Sequence, residues 1–157
     1  MLAWYIPPHW LSASEPAPEN IVDAARLASR AADSIAHRNI AHSSIPLILH
    51  QTWKNSRIDT WPDLIRACVE KWLAYVVSDS MAYFLWEDDG VIQLLEEFEP
   101  GFLDRFKALP ANVERPDVFR VLVSKWIGGI VRTFLYLVLS SAVVLRLPSC
   151  GNEMLGY

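Results

Sequence analysis

The residue pattern of this chain predicts an α/β fold. Two short apolar runs bounded by turn residues, Ile45 to Trp53 and Tyr83 to Trp86, read as buried strands. Between and after them, apolar residues recur every three or four positions, the spacing of amphipathic helices. Strand, helix, strand, helices and a final apolar stretch is the alternation of an α/β sheet. The length agrees, because 157 residues are typical of one domain and can bury a substantial core.

Taken in order, residues 1–19 carry Pro, Ser and Trp without a period and read as an irregular arm. Asn20 caps a helix starting at Ile21, with Ile21, Ala25, Ala28, Ala32 and Ile35 on one stripe that ends near His37 to Asn39. Such small residues must pack on another element. The apolar run from Ile45 enters through Pro46 and closes at Trp53; polar turn residues Lys54 to Thr60 follow. Pro62 suits the first turn of a helix reaching Tyr75, with Leu64, Ile65, Cys68 and Trp72 on one face. Val76 to Ala82 fits helix or strand.

The second strand closes at Glu87-Asp88-Asp89-Gly90, where Asp88 or Asp89 caps a helix carrying Val91, Leu94, Leu95 and Phe98. Pro100 opens a short helix through Lys107. Pro116 starts another, with Val118, Phe119, Leu122 and Trp126 along one side, and Gly128-Gly129 stops it.

Composition narrows the function classes. Apolar residues make up 52% and mean hydropathy is +0.18, which excludes a wholly disordered chain. Fourteen basic against eighteen acidic residues give a net charge of −4, with no basic stripe to capture nucleic acid. Two cysteines, Cys68 and Cys150, make neither a disulfide framework nor a zinc knuckle.

Thr133 to Leu145 is an uncharged run of 13 residues, whereas a spanning helix needs about 20. Extending it back to Trp126 encloses Arg132, which costs ~2.5–3.5 kcal/mol near a membrane centre. The run therefore reads as a buried strand or helix, with membrane attachment through 133–145 as the other reading. The first residues have no basic segment, and prolines break their apolar run, so no signal peptide or N-terminal anchor is expected.

Four segments in order resemble the family 32 glycosyltransferases, which include the yeast initiating mannosyltransferases. Ile45-Pro-Leu-Ile-Leu-His50-Gln-Thr-Trp53 is similar to the family's opening strand, and Tyr83-Phe-Leu-Trp86-Glu-Asp88 to its second. Arg115-Pro-Asp117-Val-Phe-Arg120 resembles the R-A-D-x-x-R helix. Trp126-Ile-Gly128-Gly129-Ile130 resembles Y-G-G-I-Y. Each is weak alone; together they cover residues 45–130.

The resemblance implies a partial GT-A fold, a Rossmann-like half-domain that binds a nucleotide sugar, with an N-terminal helical extension at 1–44. It implies transfer of a hexose, mannose foremost, from GDP-mannose or a UDP-hexose to a glycan or lipid acceptor at the Golgi or ER membrane. By residue type alone, Trp53 is a core or rim position and His50 a satisfied core histidine. Asp117 with Arg120 is by the same token a solvated helix pair worth ~0.2–0.5 kcal/mol. The resemblance raises Trp53, Asp117 and Arg120 to donor-binding positions. It leaves His50, Trp86, Gly128, Gly129 and the acidic turn structural, with no catalytic residue assigned.

The family continues with A-D-x-D, whose two aspartates hold the Mn2+ or Mg2+ that clamps the donor diphosphate. Here Ile130 is followed by Val131-Arg132-Thr133, and Arg cannot ligate a metal. Residues 131–157 therefore read as an apolar tail outside the family, with Ala to Pro at Pro116 a lesser departure. Val131-Arg132 can be encoded by GTAAGG or GTGAGG, which resemble a splice donor, so translated intron and genuine degeneration are both open. Either way the expectation is a chain inactive as a transferase. The alternative is a non-catalytic fragment attached to a membrane or a partner.

Overall fold

A computed structural model describes residues 3–34, 45–53, 55, 57–78, 81–110 and 114–132. The end of the first helix near His37 to Asn39, the side chains of Leu64 and Cys68, and the tail 133–157 lie outside the described residues.

Helix α1 (Ile21–Ser34) begins where the cap predicts. Asn20 Oδ1 accepts from the backbone N–H groups of Val22 and Asp23, both at 2.9 Å. Its predicted stripe is buried at Ile21, Ala25, Ala28 and Ala32, with Ala24 buried beside it, while Ile35 lies outside the described residues. Strand β2 (Ile48–Thr52) and strand β3 (Ala82–Trp86) flank helix α2 (Asp63–Ser78) in sequence. Helix α3 (Asp88–Phe98), a 3-10 turn at Pro100–Phe102 and helix α4 (Leu103–Ala108) follow, then helix α5 (Glu114–Trp126) and strand β4 (Ile130–Arg132).

Several details differ from expectation. The arm is not wholly irregular: Trp4–Tyr5 forms strand β1, and Leu85 donates its N–H to the Ala3 carbonyl at 2.8 Å. Asp88 and Asp89 occupy the first turn of α3; the cap is Glu87, whose side chain makes no capping bond. Their charges still suit the positive end of the helix dipole. Helix α5 starts two residues before Pro116, and Val123 joins Phe119 in its buried face. Trp126 lies half out, stacked on Phe98 at 5.1 Å. Strand β4 spans Ile130–Arg132.

The four strands form one sheet in the order β1-β3-β2-β4. Strand β2 pairs in parallel with β3 and with β4, while β1 is antiparallel to β3. The chain passes from β2 to β3 on one side, then returns across β2 to β4 on the other. Helices α1, α3, α4 and α5 pack on one face, over Ile48, Phe84 and Trp86. The other face, with Leu49, Tyr83 and Leu85, is covered by α2 through Val69, Trp72 and Val76, and by Trp61. A mixed α/β sheet of this kind is compatible with a partial Rossmann-like domain.

Candidate functional site

Parallel strands bring their carboxyl ends to one edge, which is where open α/β sheets bind ligands. Trp53 follows β2 there. Its N–H donates to the Trp86 carbonyl at 3.1 Å, and its ring leans on Trp61 at 5.4 Å between centroids. Trp61 is itself fixed, donating Nε1 to Oδ1 of Asn55 at 3.0 Å.

Helix α5 reaches the same edge from the opposite face. It leads through Gly128-Gly129 into β4, so it runs against the strands and its first turns lie beside their carboxyl ends. Asp117 and Arg120 are one turn apart and joined as an ion pair, with both side chains partly exposed. Arg120 Nε is buried without a partner, so the guanidinium keeps one donor unused. Asp117 and Arg120 thus meet, whereas none of the described contacts joins them to Trp53. Any ligand touching all three must straddle the ends of the strands.

His50, Trp86, Gly128 and Gly129 sit together behind this edge. Trp86 Nε1 donates to His50 Nδ1 at 3.1 Å, and His50 Nε2 lies 2.9 Å from the Gly128 carbonyl. Because Nδ1 accepts, Nε2 carries the proton and donates to Gly128. Burial drives the His50 pKa down to about 4, with the Gly128 bond opposing the shift, so the ring is neutral near pH 7. A neutral ring bonded at both nitrogens has no site left for a substrate proton.

Gly128 and Gly129 have φ of 80° and 95°. A Cβ on Gly129 would lie 2.6 Å from the Ile48 carbonyl oxygen and 3.2 Å from His50 Nε2. Only glycine lets the chain turn here and approach β2 closely.

The α2 face carries polar groups that residue-by-residue reading missed. Gln51 is fully buried, and its Oε1 accepts from the Tyr83 hydroxyl at 2.8 Å. Burial pushes the Tyr83 phenol well above its ordinary pKa, so it stays a donor. The Gln51 amide nitrogen has no partner. Arg132 is the register partner of Gln51 across the β2–β4 pair, and its guanidinium lies 5.7 Å from the Trp72 ring centroid. Its Nε is also buried and unpartnered. A polar residue within an otherwise apolar buried strand was the available signal for Gln51. Arg132 gave none beyond its misfit with the family pattern.

The described residues offer no ready set for the metal that the family resemblance implies. Among the described residues no three His, Cys, Asp or Glu side chains converge on one point, and the end of β4 carries a cation. A cavity of about 310 Å³ lies elsewhere, between the N-terminal arm and α1, lined by Glu15, Glu19, Asp23, Arg26 and Arg30 among others. No helix among the described residues is long and apolar enough to cross a membrane.

No family model matches the chain, and no solved structure matches it. Curated proteins do. Inositol phosphoceramide mannosyltransferase 3 of Schizosaccharomyces pombe is 33% identical over 89 residues, 56% of this chain and 23% of that protein. Inositol phosphoceramide mannosyltransferase 2 of the same organism is 35% identical over 86 residues, 54% of this chain and 23% of its own length. Mannosyl phosphorylinositol ceramide synthase SUR1 of Saccharomyces cerevisiae is 31% identical over 87 residues, 55% of this chain and 21% of its own. The chain spans about a quarter of the length of the relatives it matches. Over those residues it is homologous to the inositol phosphoceramide mannosyltransferases, a kinship that supports the family 32-like glycosyltransferase reading of its four motifs.

Proposed function

We propose that this chain is the donor-binding part of a glycosyltransferase that uses a nucleotide sugar, with GDP-mannose as the first donor to test. The observation that carries this is the arrangement at the carboxyl edge. An aromatic platform, Trp53 on Trp61, stands on one side of the strand ends, and the Asp117–Arg120 pair on the other. Trp53 can stack a nucleobase, Asp117 can accept from ribose or sugar hydroxyls, and Arg120 can donate to hydroxyl or phosphate oxygens. The mannosyltransferase names of the relatives point to mannose. Their inositol phosphoceramide names point to a sphingolipid acceptor, and so to a Golgi or ER membrane setting.

Binding, not turnover, is the property we assign to the described residues: among them no three His, Cys, Asp or Glu side chains gather to hold a metal, and His50 is bonded at both nitrogens. Calorimetry with GDP-mannose and UDP-glucose tests it. GDP-mannose should bind, and Trp53→Ala and Asp117→Ala should each weaken binding roughly tenfold or more. Absence of binding at millimolar concentrations of either donor overturns the proposal.

A further inference from the structure

We propose that Arg132 and Gln51 form a metal-independent anion site that takes the diphosphate of a nucleoside diphosphate ligand. Arg132 stands at the end of β4, one position before those at which the family pattern has its metal-binding carboxylates, and supplies a fixed positive charge there. Register places Arg132 and Gln51 opposite each other on neighbouring strands, so both project from the same face of the sheet. Strand order reverses at this β2–β4 pair, the position at which open α/β sheets hold ligands beyond their carboxyl ends.

Both residues have donors to spare. Gln51 is fully buried, its oxygen is taken by Tyr83, and its amide N–H groups have no acceptor. Arg132 Nε is buried and equally unmatched, while the ring of Trp72 supports the guanidinium. Buried donors without acceptors are costly and rare in folded chains. Two of them side by side, one on a cation, mark a place for an oxyanion with several acceptor oxygens. A diphosphate meets that need, and its charge would be balanced by a guanidinium in place of a metal.

The nucleoside half of this ligand rests on the donor-binding reading above; the anion half rests on Arg132 and Gln51 alone. The full 157-residue chain should be titrated with pyrophosphate, GDP and guanosine in buffer containing EDTA, and again with Mn2+. We expect pyrophosphate to bind in EDTA, and GDP to bind roughly tenfold or more tighter than guanosine. Arg132→Gln should abolish pyrophosphate binding and bring GDP down to the guanosine level of the unaltered chain. Arg132→Lys should retain part of the gain, which a merely misfolded edge strand would not.

Pyrophosphate affinity that survives Arg132→Gln, or diphosphate binding seen only with Mn2+, overturns the site. Pyrophosphate binding that depends on Arg132, with GDP no tighter than pyrophosphate and guanosine not bound, supports the anion site and dismisses the nucleotide-sugar reading.

Discussion

The two faces of the sheet solve the same packing problem in different ways. Under α1, α3 and α5, the fully buried polar side chain is His50, which gives one hydrogen bond and receives another, although Arg120 Nε on α5 is unmatched. Under α2, Gln51 and Arg132 are left with donors unmatched. The same central strand supplies both, since His50 and Gln51 are neighbours pointing to opposite faces. The first face is organised for holding strands in place, and the second retains polarity that the fold itself does not use.

The largest expected effect breaks the first face. Gly129→Ala puts a side chain at positive φ against the Ile48 carbonyl, and should cost roughly 3 kcal/mol or more in urea unfolding. An undiminished unfolding midpoint would show that the contact relaxes freely.

Next comes pH. Unfolded His50 takes a proton near the ordinary value of 6.5, while burial holds the folded ring down to about 4. The unfolded chain therefore binds more protons between those values, so stability is complete above 6.5 and falls as pH drops toward 4. The His50 contribution to that loss is up to about 3 kcal/mol. His50→Gln should flatten this part of the curve in paired urea titrations at pH 7 and pH 5.

A smaller effect is expected on the second face. Replacing Gln51→Leu together with Tyr83→Phe removes a polar pair and the idle amide at once, and should change stability by about 1 kcal/mol or less, in either direction. A loss comparable with that of Gly129→Ala would mean that Gln51 is as structural as His50. Least of all is Asp117→Ala. The exposed pair with Arg120 contributes about 0.5 kcal/mol, so the melting temperature should barely move while donor binding falls.

Much of the first face can be read from residue order because its signals are local. Asn20 before an alanine-rich stripe, apolar runs closed by turns, and paired glycines after a helix each fix their own neighbourhood. Strand β1 escaped because two residues, Trp4 and Tyr5, acquire strand character only from pairing with Phe84 and Tyr83. The Asp88–Asp89 cap was displaced by one residue, since several adjacent acids compete for one position. Trp53, Asp117 and Arg120 stand as donor-site candidates through the motif resemblance alone. That Trp53 stands on one face and the pair on the other depends on which helix crosses where. The Gln51–Arg132 pairing needs a register between residues far apart in sequence, which no local period carries.

The bond between His50 and the Gly128 carbonyl spans 78 positions of chain. Closing that loop costs about 0.6 kcal/mol more in chain entropy than closing one half as long, so β4 is the more distant of the two partners that the central strand must find. During synthesis β2 and β3 leave the ribosome before β4, so one edge of β2 has no partner strand until residue 132 has emerged. An apolar strand with an open edge is a template for the wrong partner. The paired glycines thus set more than a turn: they seat the strand that closes the open edge of β2.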